Sequence, residues 1–149
     1  DVGDLRTVDD CSVLFYLCKG HDEKAVYVKL AAPVEAAIRR YLTLRGKAES
    51  TAPLFASCAH QNRGERMTTR SISRIAKEHM IESGIDDERH TAHSLRHTAA
   101  TLNLLNGGSL EETKQLLNHK NVTTTMIYVQ ELERMKNQSE NRIAAAVFG

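Results

Sequence analysis

Between Thr91 and Val129 the chain reads TAHSLRHTAATLNLLNGGSLEETKQLLNHKNVTTTMIYV, and its punctuation leaves little freedom of fold. A helical pattern from about His93 to Asn106 carries Leu95, Ala99, Leu102 and Leu105, which predicts that those four face inward. Gly107 and Gly108 stop that helix. Ser109 and Glu112 form a Ser-x-x-Glu capping box that starts the next one, with Leu110, Thr113, Leu116 and Leu117 on its inner side. Asn118 tolerates the left-handed conformation and ends it, so His119 is held by a helix end rather than buried in mid-helix. Three consecutive β-branched threonines follow, poor helix formers that can hydrogen-bond locally, and then Tyr128.

The rest of the chain supplies a scaffold. Ser12–Cys18 and Ala25–Leu30 read as strands, the second alternating with Val26, Val28 and Leu30 on one face, and KGHDEK between them suits a hairpin turn. Pro33 opens a helix whose predicted buried face is Val34, Ala37, Ile38, Tyr41 and Leu42, and Gly46 stops it. Residues 47–67 read as loop, with a short extended piece at Pro53–Ser57. A further amphipathic helix spans Thr69–Ser83, with Ile72, Ile75, Ala76 and Met80 inward and Gly84 beyond its end. The expected class is therefore mainly α with a small antiparallel β-sheet, α+β.

At 149 residues the chain is expected to form a single domain, 1–149, with a charged tail from about 131 that ends in a short apolar helix at Ile143, Ala144, Val147 and Phe148. No apolar run approaches the roughly 18–20 residues of a membrane span, and nothing resembles a signal peptide, so a cytoplasmic location is expected. Three cysteines without CxxC spacing argue against a disulfide framework or a cysteine zinc site. A net charge of only +1 means that any affinity for DNA must come from local patches.

Such a patch exists. Arg66, Arg70, Arg74 and Lys77 run into and along the Thr69–Ser83 helix, and the last three share one side of it, able to meet a phosphate backbone together. His93 and Arg96, three apart, project from one helical face. Arginine offers a planar fork to two phosphate oxygens, histidine a hydrogen bond or a proton, and a tyrosine hydroxyl a nucleophile. His97 completes an HxxxH pair with His93, but no glutamate follows the first histidine and no third ligand is evident, so His97 reads as a packing residue. Cys58 and His60 do not make a metal site. Tyr128 taken alone reads as a half-buried aromatic with its hydroxyl on the backbone, and Lys19 alone as a solvated turn lysine.

Taken together, His93, Arg96, His119 and Tyr128, with LLNH-x-x-V-T-T-T-x-x-Y around the last two, resemble the C-terminal signature of the tyrosine recombinases, the phage-type integrases. Asn118 stands where that family usually has glycine. The resemblance implies a tyrosine-recombinase catalytic-domain fold and site-specific DNA cleavage and rejoining through a 3′-phosphotyrosyl intermediate, without metal or cofactor. It implies Tyr128 as nucleophile, Arg96, His93 and His119 on the phosphate, and Lys19 of the hairpin as general acid. Lys24, Lys29 and His21 are weaker candidates for DNA contacts. The implied partners are double-stranded DNA and other protomers, as a tetramer on DNA in a bacterial cytoplasm. The family's other catalytic arginine has no match here, since Arg6 lies too late, so a truncated catalytic domain impaired on its own is expected. A type IB topoisomerase-like enzyme and a non-catalytic or degenerate DNA-binding module are the alternatives.

Overall fold

β-Branched, aromatic and other apolar residues cluster near the start of the chain, and a three-stranded antiparallel sheet results, its strands lying side by side in sequence order. The strands are β1 (Leu5–Val8), β2 (Cys11–Tyr16) and β3 (Val26–Lys29). A computed structural model describes residues 1–18, 20 and 22–149, so the Lys19 and His21 expectations lie outside the described residues. The described residues divide into two units, 1–72 and 73–149.

In the first unit, β2 pairs with β3 as the sequence predicts, with Val13 opposite Lys29 and Tyr16 opposite Val26. The strand β1 adds to the two strands that the sequence delimits. It pairs with β2 across a tight turn in which Asp9 and Asp10 take φ of 46° and 60°. Two successive positive φ values match the right-handed twist of the strands, and aspartate accepts that conformation better than most residues. Val13 is fully buried in this sheet, while the Arg6 guanidinium lies over the Phe15 ring, itself against Tyr27. Helix α1 (Ala32–Arg45) has Pro33 in its first turn, but its buried face is narrower than its periodicity suggests. Ile38 is buried and Tyr41 and Leu42 half-buried, whereas Val34 and Ala37 face solvent. Through the loop that follows, Tyr41 accepts the Ala56 N–H at 3.1 Å and Arg45 donates to the Leu54 carbonyl at 3.1 Å, while Ala56 bridges Arg66.

Helix α2 (Thr69–Glu82) contains the boundary between the units. The second unit continues with α3 (Ala92–Leu105), α4 (Leu110–Leu117), α5 (Thr123–Lys136) and α6 (Ser139–Phe148). Helix α5 thus runs past residue 131, where the sequence suggests a tail, and α6 presents Ile143, Val147 and Phe148 to solvent.

Helices α3 and α4 end alike. Gly107, at φ +88°, lets its own N–H reach the Leu104 carbonyl and that of Gly108 reach Asn103. Asn118, at φ +50°, does the same for α4: its N–H meets Gln115 and the His119 N–H meets Lys114 at 3.0 Å. Each is a left-handed terminus that satisfies otherwise orphaned carbonyls. Ser109 and Glu112 close the predicted capping box at the start of α4, and Thr91 with Ser94 closes one at the start of α3.

The packed side of α3 is not the predicted one. Leu95, Leu102 and Leu105 are about half exposed; Ala100, at 0% exposure, and Leu104 instead meet Leu117 and Tyr128. The reason lies in the polar residues on that side. Arg96 donates to the Leu117 carbonyl, Asn103 donates to Thr113 Oγ1 at 3.0 Å, and the His97 ring meets Tyr128. Satisfied polar groups occupy this interface along with small and apolar ones, which a count of hydrophobic periodicity places outside. Leu117, 3% exposed, sits at its centre. Leu117→Ala should cost about 2–4 kcal/mol through lost transfer energy and a cavity. Thermal melting should register this as a fall in Tm on the order of 10 °C.

Candidate active site

Three short helices bring the site together within the second unit. Helix α3 carries His93, Arg96 and His97, the end of α4 carries His119, and α5 carries Thr125 and Tyr128. The rings of His93 and His97 lie edge to face with centroids 4.9 Å apart, and His97 meets Tyr128 in the same manner at 5.3 Å. These contacts run from the first turn of α3 to the middle of α5, and edge-to-face aromatic pairs of this separation are attractive.

The Tyr128 ring is buried, 3% exposed. Its hydroxyl makes no hydrogen bond among the described residues, and no buried side-chain oxygen or nitrogen there lacks a partner, so the oxygen keeps contact with solvent. A buried ring whose hydroxyl has no partner among the described residues differs from an aromatic tied to its own backbone. Such a group is held in place and left chemically open.

Arg96 uses one guanidinium nitrogen to hold the carbonyl of Leu117, the last residue of α4. Its remaining N–H groups have no partner among the described residues, and the side chain is exposed. The arginine thus links α3 to the residue two before His119 and keeps donors in reserve for an anion.

His119 is half-buried, its Nδ1 2.9 Å from Thr125 Oγ1. Burial, and then the positive charge of Arg96, hold its imidazole below the ordinary value near 6.5. The unfolded chain binds this proton more readily, so the histidine contributes stability that is present above about pH 6.5 and lost as pH falls through the folded value. Tm should therefore decline as pH falls from about 7 toward 5, and His119→Gln should flatten that part of the curve.

The basic residues behave differently from one another. Arg66 pairs with the Asp1 carboxylate, and Arg74 pairs with Glu78 at 2.6 Å. Lys77 donates to the carbonyls of Asp87 at 2.6 Å and His90 at 3.1 Å, fastening the loop that leads into α3. Arg70 is exposed and without a partner among the described residues. Lys24 is engaged by Asp1, at 2.6 Å, and by Asp4. Among the described residues no group of three or more His, Cys, Asp or Glu is placed to hold a metal, and no helix is long and apolar enough to cross a membrane. Thr125 and the His97–Tyr128 contact are the features that sequence reasoning missed. Of the three threonines in a row, Thr123 and Thr124 are exposed and Thr125 is fully buried, a distinction that needs the register of α5.

The sequence model of the phage integrase family matches residues 1–135. The chain belongs to that family. Relatives of this integrase-family chain include the tyrosine recombinase XerC of Pelobacter propionicus, 38% identical over 110 residues that cover 73% of this chain and 34% of that protein. The XerC of Corynebacterium glutamicum is 34% identical over 127 residues, 84% of this chain and 39% of that protein. The chain thus spans a little over a third of the length of these curated relatives. Among solved structures, that of XerA recombinase superposes with a TM-score of 0.65 at 29% identity, covering 95% of this chain and 50% of that one. The XerH site-specific recombinase bound to difH substrate, a pre-cleavage complex, shares the fold with a TM-score of 0.67 at 23% identity, covering 99% of this chain and 39% of that one. The fold of this integrase-family chain is that of a tyrosine recombinase catalytic domain, helical with a small antiparallel sheet.

Proposed function

We propose that this chain is catalytic machinery of a site-specific DNA recombinase that cuts and rejoins duplex DNA through a tyrosine. The observation that carries the proposal is the grouping of His93, Arg96, His119 and Tyr128 on three helices packed as one unit, with the Tyr128 hydroxyl unbonded. The names of its relatives, recombinases, and the difH substrate of XerH support DNA as the substrate class.

In this reading the Tyr128 oxygen attacks phosphorus and releases its proton to the solvent it contacts, the bond from phosphorus to the 5′ oxygen breaks, and a 3′-phosphotyrosyl link remains. The phosphodiester energy is kept in that link, so a 5′ hydroxyl can attack it and restore the strand. Negative charge grows on the non-bridging oxygens as the bonds exchange, and Arg96, His93 and His119 offset it. Lys19 delivers a proton to the leaving 5′ oxygen. Exchange between two duplexes breaks four strands, and one tyrosine per chain then calls for four chains on the DNA.

Covalent capture tests the proposal. A nicked duplex from which cleavage sheds a short 5′ fragment traps the protein on DNA. It is offered to the chain alone and to the chain joined behind the N-terminal part of a curated XerC relative. A gel-shifted adduct with the phosphotyrosyl linkage mapped to Tyr128 is expected. Duplex binding without adduct in either form would point to a binding module, and supercoil relaxation without exchange to a topoisomerase.

The basic residues carry a separate expectation. If Arg66, Arg70, Arg74 and Lys77 contact the DNA backbone, Arg70 should matter most, because its charge is not already engaged. Arg70→Ala should weaken duplex binding similarly for all sequences and reduce the log–log salt slope by about 1. Arg74→Ala, which also frees Glu78, should change that slope less. Fluorescence anisotropy titrations over a range of salt would read both.

A further inference from the structure

Thr125 is bonded differently from three other helical threonines. Thr43, Thr98 and Thr113 each donate their hydroxyl to the carbonyl four residues earlier, as threonines in helices often do. Thr125 does not. Its side chain is wholly buried in the first turn of α5, and its hydroxyl has one partner among the described residues, His119 Nδ1 at 2.9 Å.

Hydrogen-bond accounting then fixes the direction. The hydroxyl has a single proton, and the imidazole presents either a proton or a lone pair at Nδ1. Were His119 to donate from Nδ1, the hydroxyl proton of Thr125 would be left in a site of zero exposure with no acceptor. With the hydroxyl donating to Nδ1, both groups are satisfied, and the ring proton must reside on Nε2. The backbone cannot relax the arrangement, because the His119 N–H is bonded to Lys114 at the left-handed end of α4. A histidine held neutral by burial and by Arg96 has one nitrogen free to accept, consistent with this assignment.

We infer that Thr125 is a positioning residue that locks His119 in its Nε2–H tautomer, so that His119 meets a scissile phosphate as a hydrogen-bond donor and not as a proton acceptor. The second half rests on the cleavage reading above; the first does not. His119 then has no free lone pair with which to deprotonate Tyr128, and that proton goes to solvent.

Nitrogen NMR of the histidine rings in the whole chain at neutral pH tests the tautomer directly. The expected wild-type spectrum has an unprotonated Nδ1 and a protonated Nε2 at His119. Thr125→Ser, which keeps the hydroxyl, should retain that pattern; Thr125→Val, which keeps the shape, should lose it to a mixture or to Nδ1–H. A wild-type ring protonated at Nδ1 overturns the inference with no variant needed, and so does a Thr125→Val spectrum identical to wild type. In covalent capture, Thr125→Val should slow adduct formation about tenfold to a hundredfold, the range found for hydrogen-bonding partners of functional histidines at metal sites, with Thr125→Ser within a few-fold of wild type. Equal rates for wild type and a folded Thr125→Val overturn the donor role. If wild type forms no adduct, either alone or joined behind the N-terminal part of the curated XerC relative, the cleavage reading falls and takes the donor role with it, while the spectrum still decides the tautomer.

Discussion

Tyr128→Phe should abolish covalent capture of DNA, lowering adduct formation more than about a thousandfold, while stability changes by no more than ~0.5 kcal/mol. The two halves follow from one environment. The ring fills the space between Ala100, Leu117 and Leu104 and stands edge to face with His97, and phenylalanine reproduces all of that surface. The hydroxyl, in contrast, holds nothing among the described residues, so its removal strands no buried partner. Thr125, three residues earlier on α5, offers no replacement, because its hydroxyl is buried and committed to His119. Duplex affinity should be unchanged by anisotropy, and melting curves should overlay. A Tyr128→Phe protein that still formed adducts would remove Tyr128 from the chemistry; one that melted much lower would mean that the hydroxyl is structural after all.

The grouping behind that expectation was legible in the sequence because it depends on order and punctuation. His93 and Arg96 share a helical face by spacing alone, and Asn118 announces a left-handed end that delivers His119 at a fixed place. What escaped depends on which side of each helix meets its neighbour. The leucines of α3 form the obvious stripe, but α4 and α5 pack against Ala100, where a small residue permits close approach and Arg96, His97 and Asn103 find partners. Thr125 could not be told from Thr123 and Thr124 without the start of α5, whose N-cap position is held by Val122, a residue with no side chain able to cap. The first strand was hidden by its turn, since Asp9-Asp10 lacks the glycine that usually marks a two-residue hairpin. Lys77 shows the converse. Its spacing with Arg70 and Arg74 suggests a cation facing outward, yet its ammonium is aimed at the carbonyls of Asp87 and His90.

Arg96→Lys should lose about a hundredfold or more in the rate of adduct formation, close to the loss from Arg96→Ala, with duplex affinity reduced far less. A lysine keeps the charge, so the comparison isolates geometry. The guanidinium reaches the Leu117 carbonyl through one nitrogen and still offers a planar set of donors to a phosphate. An ammonium concentrates its donors on one atom, so it can hold the carbonyl or the phosphate oxygens, but not both in register. Removing the charge altogether has a further signature at His119, whose imidazole Arg96 helps to keep below its ordinary range. In Arg96→Ala that contribution disappears, the folded value rises toward 6.5, and the acid-side loss of stability attributed to His119 shrinks. Arg96→Lys should keep most of it, because a cation remains nearby. Adduct kinetics and the pH dependence of Tm, measured on the same two variants, therefore separate the two roles of this arginine. Loss of cleavage in both variants, with the pH effect altered only in Arg96→Ala, is the expected pattern; a fully active Arg96→Lys would show that charge alone suffices and that the fork has no part in the chemistry.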